Sequence, residues 1–199
     1  MMKRILLMLP TFAVAAIFIL LTGECSGRGE GSAVPRRTAY PRIELYDSTY
    51  RQASAALPLN LMVNDSTTVE IAVHGEAATW IDVIYPRYSA TLRLTLSRLS
   101  GDSLRHAIDN RHERMALNAG GLRSTVTELA APGGLSSEIV STPGAMVTPL
   151  QIIATDSTGL LLTGALELPP SANDAEYYLP IIHGVERDLI HMAKNLTVR

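Results

Sequence analysis

Ala90-Thr91-Leu92-Arg93-Leu94-Thr95-Leu96 alternates apolar and polar residues without a break. Successive side chains of a strand point to opposite faces, so Leu92, Leu94 and Leu96 share one face and a polar set lies on the other. A strand of this kind is half buried and belongs to a sheet with a core on one side. Just before it, Trp80-Ile81-Asp82-Val83-Ile84-Tyr85-Pro86 combines aromatic and β-branched residues, which suit a pleated surface. Further strands are expected over Leu57 to Val63, Thr68 to Val73, Ser124 to Ala130, Ser137 to Ser141, Pro149 to Thr155 and Leu160 to Leu168, with a short one between Ala39 and Tyr50. Asn64-Asp65-Ser66 and Asp156-Ser157-Thr158-Gly159 have the composition of turns between them.

Two stretches change to helical spacing. From Asp102-Ser103, Leu104, Ala107, Ile108, Met115 and Ala116 form one stripe that includes Arg111, and Gly120-Gly121 stops it. Near the C-terminus Tyr178, Ile181, Ile182, Val185, Leu189, Met192 and Leu196 form a second stripe, with Glu176, His183, Arg187, His191 and Lys194 opposite. Strands, a helix, more strands and a closing helix predict an α+β domain: an antiparallel β-sheet with one mid-chain helix and a C-terminal amphipathic helix packed on it.

The N-terminus says where this domain goes. Lys3-Arg4, an apolar run from Ile5 to Leu21 and then Thr22-Gly23-Glu24-Cys25 have the layout of a signal peptide. Cys25, the only cysteine among 199 residues, stands where a bacterial lipoprotein is acylated. The expected organisation is a signal peptide over 1–24, a Gly/Ser-rich tether over 25–38 carrying a lipid on Cys25, and a single domain over 39–199. Glu24 fits poorly before a processing site, and an uncleaved membrane anchor is the alternative; both export the domain, because the positive charge stays on the cytoplasmic side. No run of acidic residues follows Cys25. The formal net charge is −2, and without the leader and Glu24 it is about −3. That balance argues against a nucleic acid partner, which requires a basic patch.

The chemistry-bearing residues assemble no motif. His106 and His112 are six apart and do not share a helix face, and His183 and His191 lie two turns apart, so none has the spacing of a helical metal pair. There is no Gly-x-Ser-x-Gly elbow, Walker loop or Gly-x-Gly-x-x-Gly turn. No catalytic residue, metal site, cofactor or small-molecule substrate is therefore expected. An enzyme would need His106 or His112 beside a carboxylate in a cleft. Arg111 on an apolar stripe needs a carbonyl or carboxylate, and an internal pair with Asp82 is the plain reading. Tyr40, Tyr46, Tyr50, Tyr85 and Tyr88 crowd the first half. They either fill gaps at the sheet edge or line a surface; Trp80, Tyr85, Tyr88 and Arg111 are the candidate partner or ligand surface.

Four phrases then carry a resemblance. Trp80-Ile81-Asp82-Val83-Ile84-Tyr85-Pro86-Arg87-Tyr88-Ser89-Ala90-Thr91-Leu92, the helix containing Asp109-Asn110-Arg111-His112, Thr155-Asp156-Ser157-Thr158-Gly159 with Leu162-Thr163-Gly164-Ala165-Leu166, and Leu179-Pro180-Ile181-Ile182 with Asp188-Leu189-Ile190-His191 occur in this order. Together they resemble the gliding motility lipoprotein GldD family of the Bacteroidota over roughly residues 38 to 195. The resemblance implies a palmitate-bearing cell-envelope lipoprotein, no known catalytic residue, and partners among the envelope proteins of gliding motility and type IX secretion. It also implies that, without an acidic run after Cys25, the anchor faces the periplasm, on the inner or the outer membrane. The function it leads to expect is a non-enzymatic accessory component of that machinery. A periplasmic ligand-binding or chaperone-like module is the alternative.

Overall fold

The computed structural model describes residues 42–75, 78–145, 147–169 and 175–199. The expectations for the leader, for Cys25 and the tether, and for Tyr40 lie outside these residues.

Seven strands make one antiparallel sheet: β4 (Thr68–His74), β5 (Ala78–Tyr85), β6 (Ala90–Arg98), β7 (Thr125–Ala130), β8 (Ser136–Ser141), β9 (Leu150–Thr155) and β10 (Leu160–Glu167). Their order is β4-β5-β6-β10-β9-β8-β7. The chain runs β4 to β6 as a meander and crosses by the mid-chain helix (Asp102–Ala119) to the far edge. It then returns through β7 to β10, so β6 and β10 meet at the centre.

One face carries the main core. Ile81, Val83, Tyr85, Leu92, Leu94, Leu162, Leu166, Ile152 and Ile139 are buried there against Tyr178, Ile181, Ile182, Val185, Leu189 and Met192 of the C-terminal helix (Ala175–Lys194). The two expected periodicities thus meet each other, and each large side chain buried contributes about 1.5–3 kcal/mol. Gly164 lies between Leu94 and Ile152, where an added Cβ would stand 2.9 Å from the Arg93 carbonyl oxygen and 3.2 Å from Ile152 Cγ2. On the opposite face the mid-chain helix sets Leu104 and Met115 over Val140, Ile153 and Leu161. Ala107 and Ile108 are half-buried beside them, whereas Ala116, expected in the stripe, is exposed.

Two strand expectations need correction. Arg42 to Thr49 is not a strand, and pairing begins only at β1 (Tyr50–Gln52). Its polar groups go to side chains instead: Tyr46 N–H donates to Tyr88 Oη (2.8 Å), Asn64 Nδ2 to the Asp47 carbonyl (2.7 Å) and Arg187 Nη2 to the Tyr46 carbonyl (2.9 Å). Leu57 to Val63 is broken at the buried Leu61 into β2 (Leu59–Asn60) and β3 (Met62–Asn64). The break arises because β2 pairs with β11 (Thr197–Val198), while β3 pairs with β1.

The expected turns form. Ser66 N–H donates to Asn64 Oδ1 (3.0 Å). In the β9–β10 turn, Asp156 Oδ1 accepts from the N–H groups of Thr158, Gly159 and Leu160, each at 2.9 Å. Burial alone would raise the Asp156 pKa, but those three donors hold the carboxyl down at about 2.

Candidate functional site

The two helices cover the sheet unequally. The C-terminal helix seals its own face, but the mid-chain helix reaches only β8, β9 and β10. Among the described residues, the second face across β4, β5 and β6 is left as an open floor. Cross-strand registers place Glu70, Asp82 and Arg93 in one row and Ala72, Trp80 and Thr95 in the next. Trp80 is 47% exposed, an unusual setting for the chain's one tryptophan. His74 lies against its ring at a centroid distance of 3.9 Å. Small neighbours at Ala72 and Thr95 leave space beside the indole, and a hollow of about 420 Å³ opens there, also lined by Glu70, Asp82 and Arg93.

Charge on the floor is unevenly matched. Arg93 Nε pairs with Glu167 at 2.9 Å. Glu70 and Asp82 face each other directly across two strands, and among the described residues neither has an ion pair or hydrogen bond. Like charges in that position repel. The floor is therefore an aromatic surface bordered by free carboxylates.

The four residues expected to form one surface do not come together. Trp80 is on the open floor. Tyr85 and Tyr88 are buried on the other side of the sheet, where they stack with each other and with Tyr46 at centroid distances of 4.8–6.1 Å. Strand parity explains the separation of Trp80 from Tyr85: residues five apart on one strand point to opposite faces. Burial, followed by the nearby Asp188 carboxylate, pushes the Tyr85 pKa well up. Arg111 lies beneath the mid-chain helix, where Nη2 donates to the Gly164 carbonyl at 2.8 Å. Its partner is thus a carbonyl, and Asp82 is on the floor instead. Burial first and then the neighbouring Arg114 lower the Arg111 pKa, and among the described residues the buried Nε has no hydrogen-bond partner.

Sequence reasoning missed two groups. Glu70, Asp82, Arg93 and Thr95 complete the floor around Trp80; the even positions of β4 and β5 and the polar half of the β6 alternation were their signal. Asp188, 4% exposed, accepts from Tyr50 Oη at 2.9 Å and lies 3.4 Å from Arg187 Nη2. Burial raises its pKa, against the opposing effects of Tyr50, Arg187 and Asn64. Tyr50 in turn stacks on His191 at 3.6 Å, so Asp188 and His191 tie the first strand to the last helix.

The histidines do not form a site either. His112 Nε2 is 2.8 Å from Glu138 Oε2, beside a carboxylate as an enzyme would require, but the pair is about 40% exposed on the surface and lines none of the hollows described. Among the described residues no three His, Cys, Asp or Glu approach closely enough to hold a metal ion, and no helix is long and apolar enough to cross a membrane.

The family model described as gliding motility lipoprotein GldD matches residues 30–198. The chain belongs to the gliding motility lipoprotein GldD family. A search of curated proteins found no match. Membership makes this a gliding motility-associated lipoprotein, with lipid anchoring and a cell-envelope location as its implication. The phrases that carried the resemblance now have structural duties. Asp156 builds a turn, Gly164 permits close strand packing, Tyr88 holds the Tyr46 segment, and Asp188 ties two ends of the domain. Trp80 is half exposed, and among the described residues its ring meets only that of His74 on the neighbouring strand.

Proposed function

We propose that this chain is a non-enzymatic accessory component of the gliding and type IX secretion machinery, lipid-anchored through Cys25, facing the periplasm, and docking a protein partner on its open sheet floor. The observation that carries this reading is Trp80. It lies in a family phrase and is half exposed on a floor that neither described helix covers, and among the described residues its one ring contact is with the exposed His74. Aromatic residues at the centre of a patch, ringed by polar groups, are the usual anchors of protein interfaces. The free carboxylates of Glu70 and Asp82 favour a partner with a basic side chain opposite them.

A ligand-binding module would call for a deep apolar pocket joining Trp80 and Arg111. The hollows beside these residues are separate, open and edged with charge, which favours a protein partner. The test is deletion of the gene in its host, with complementation. The reading expects loss of surface movement or of secreted proteins, restored by the full chain. Intact movement and secretion in the deletion strain would overturn it.

A further inference from the structure

β4 is one edge of the sheet, and six of its seven residues are exposed, Ile71 at 39% and Val73 at 72%. An edge presents a row of unpaired N–H and C=O groups, and proteins commonly guard it with lysine, proline, a bulge or a very short strand. Thr68-Val69-Glu70-Ile71-Ala72-Val73-His74 contains none of those residues and pairs with β5 at every position without a bulge. The other edge, β7, is flanked by the C-terminal helix.

The apolar positions of β4, Val69, Ile71 and Val73, are symmetric about Ile71. We infer that β4 pairs antiparallel with β4 of a second copy of this chain, the twofold axis passing at Ile71. In that register Val69 meets Val73 of the second copy, Ile71 meets Ile71, and Val73 meets Val69, which gives three apolar pairs in a row on one face. On the other face Glu70 is opposite Ala72 and diagonal to both His74 and Glu70 of the second copy, so an imidazole and a like charge flank each carboxylate and the apolar row supplies the attraction. A slip of one residue would set apolar side chains against polar ones, and a slip of two would leave two apolar pairs in place of three, so the pattern as a whole selects the register. The product is one continuous sheet of fourteen strands with both Trp80 floors on the same side. A single strand pair buries less than the about 1,200 Å² of an ordinary stable interface. The dimer is accordingly weak in dilute solution and forms where copies are concentrated on one membrane.

Disulfide trapping of the full chain in membranes tests this, with the wild type as blank for Cys25. Directly opposed strand residues lie within the Cα separation a disulfide spans. Ile71→Cys is expected to form dimers under mild oxidation at least about tenfold faster than Val126→Cys on β7, which is 54% exposed and reports chance collisions. Adding Val73→Glu to the Ile71→Cys chain leaves the thiol in place but charges the apolar row, and is expected to abolish the dimer. Equal trapping at the two edges, or trapping unaffected by Val73→Glu, would overturn the inference.

Discussion

Replacing Asp156 with asparagine keeps the shape of the β9–β10 turn but removes its charge. In the folded protein the carboxyl titrates near pH 2, against 3.8 for the ordinary group. At about 1.36 kcal/mol for each tenfold step in proton affinity, that difference amounts to about 2.4 kcal/mol. The turn is only partly sheltered, and solvent screening reduces the figure to about 1–1.5 kcal/mol. Because the folded pKa is depressed, the contribution is fully present above pH 3.8 and is lost as pH falls through about 2. Asp156→Asn should therefore be about 1–1.5 kcal/mol less stable than wild type at pH 7. For a chain of this size that is a fall in Tm of about 2–6 °C. The deficit should shrink between pH 4 and pH 2. Urea titrations at a series of pH values measure it directly. A variant as stable as wild type at pH 7, or a deficit that is the same at pH 2, would show that the three N–H donors do not stabilise the charge as described.

Gly164→Ala should cost about 2–3 kcal/mol, since its Cβ would stand 2.9 Å from a backbone carbonyl that cannot move aside; a thermal melt equal to wild type would contradict the close approach. Burial raises the Asp188 pKa in the folded state, so stability at that site is highest below the ordinary carboxylate pKa and is lost as pH rises through the raised value. Asp188→Asn should flatten that part of the pH–stability curve; an unchanged slope would assign the dependence to another group. Intact mass of the membrane form should match a chain beginning at lipidated Cys25, and Cys25→Ala should lose the modification. A mass matching the full chain would instead mean an uncleaved anchor.

The sheet was legible because alternation is a local signal. Leu92, Leu94 and Leu96 are buried as their spacing requires, and the C-terminal stripe from Tyr178 to Leu196 packs against the same core. What escaped was long-range. Asp188 sits among the apolar positions of its helix yet is a carboxyl, and its partner Tyr50 is 138 residues away. Tyr85 and Tyr88 resemble surface aromatics until the Tyr46 segment and the C-terminal helix close over them. Arg111 needed a carbonyl, and only the β10 register could say that it belongs to Gly164. Of the expected surface, Trp80 alone stands on the open floor. Its parity with Asp82, opposite to that of Tyr85, was already present in the alternation of β5.

The most direct test of partner docking on the floor uses the full chain carrying Trp80→Ala with Asp82→Lys in the deletion strain. Both positions are on the open face, so the variant is expected to fold and to reach the membrane at wild-type level. The account predicts that it nonetheless fails to restore surface movement or secretion. Full restoration by a variant present at wild-type level would contradict docking on this floor.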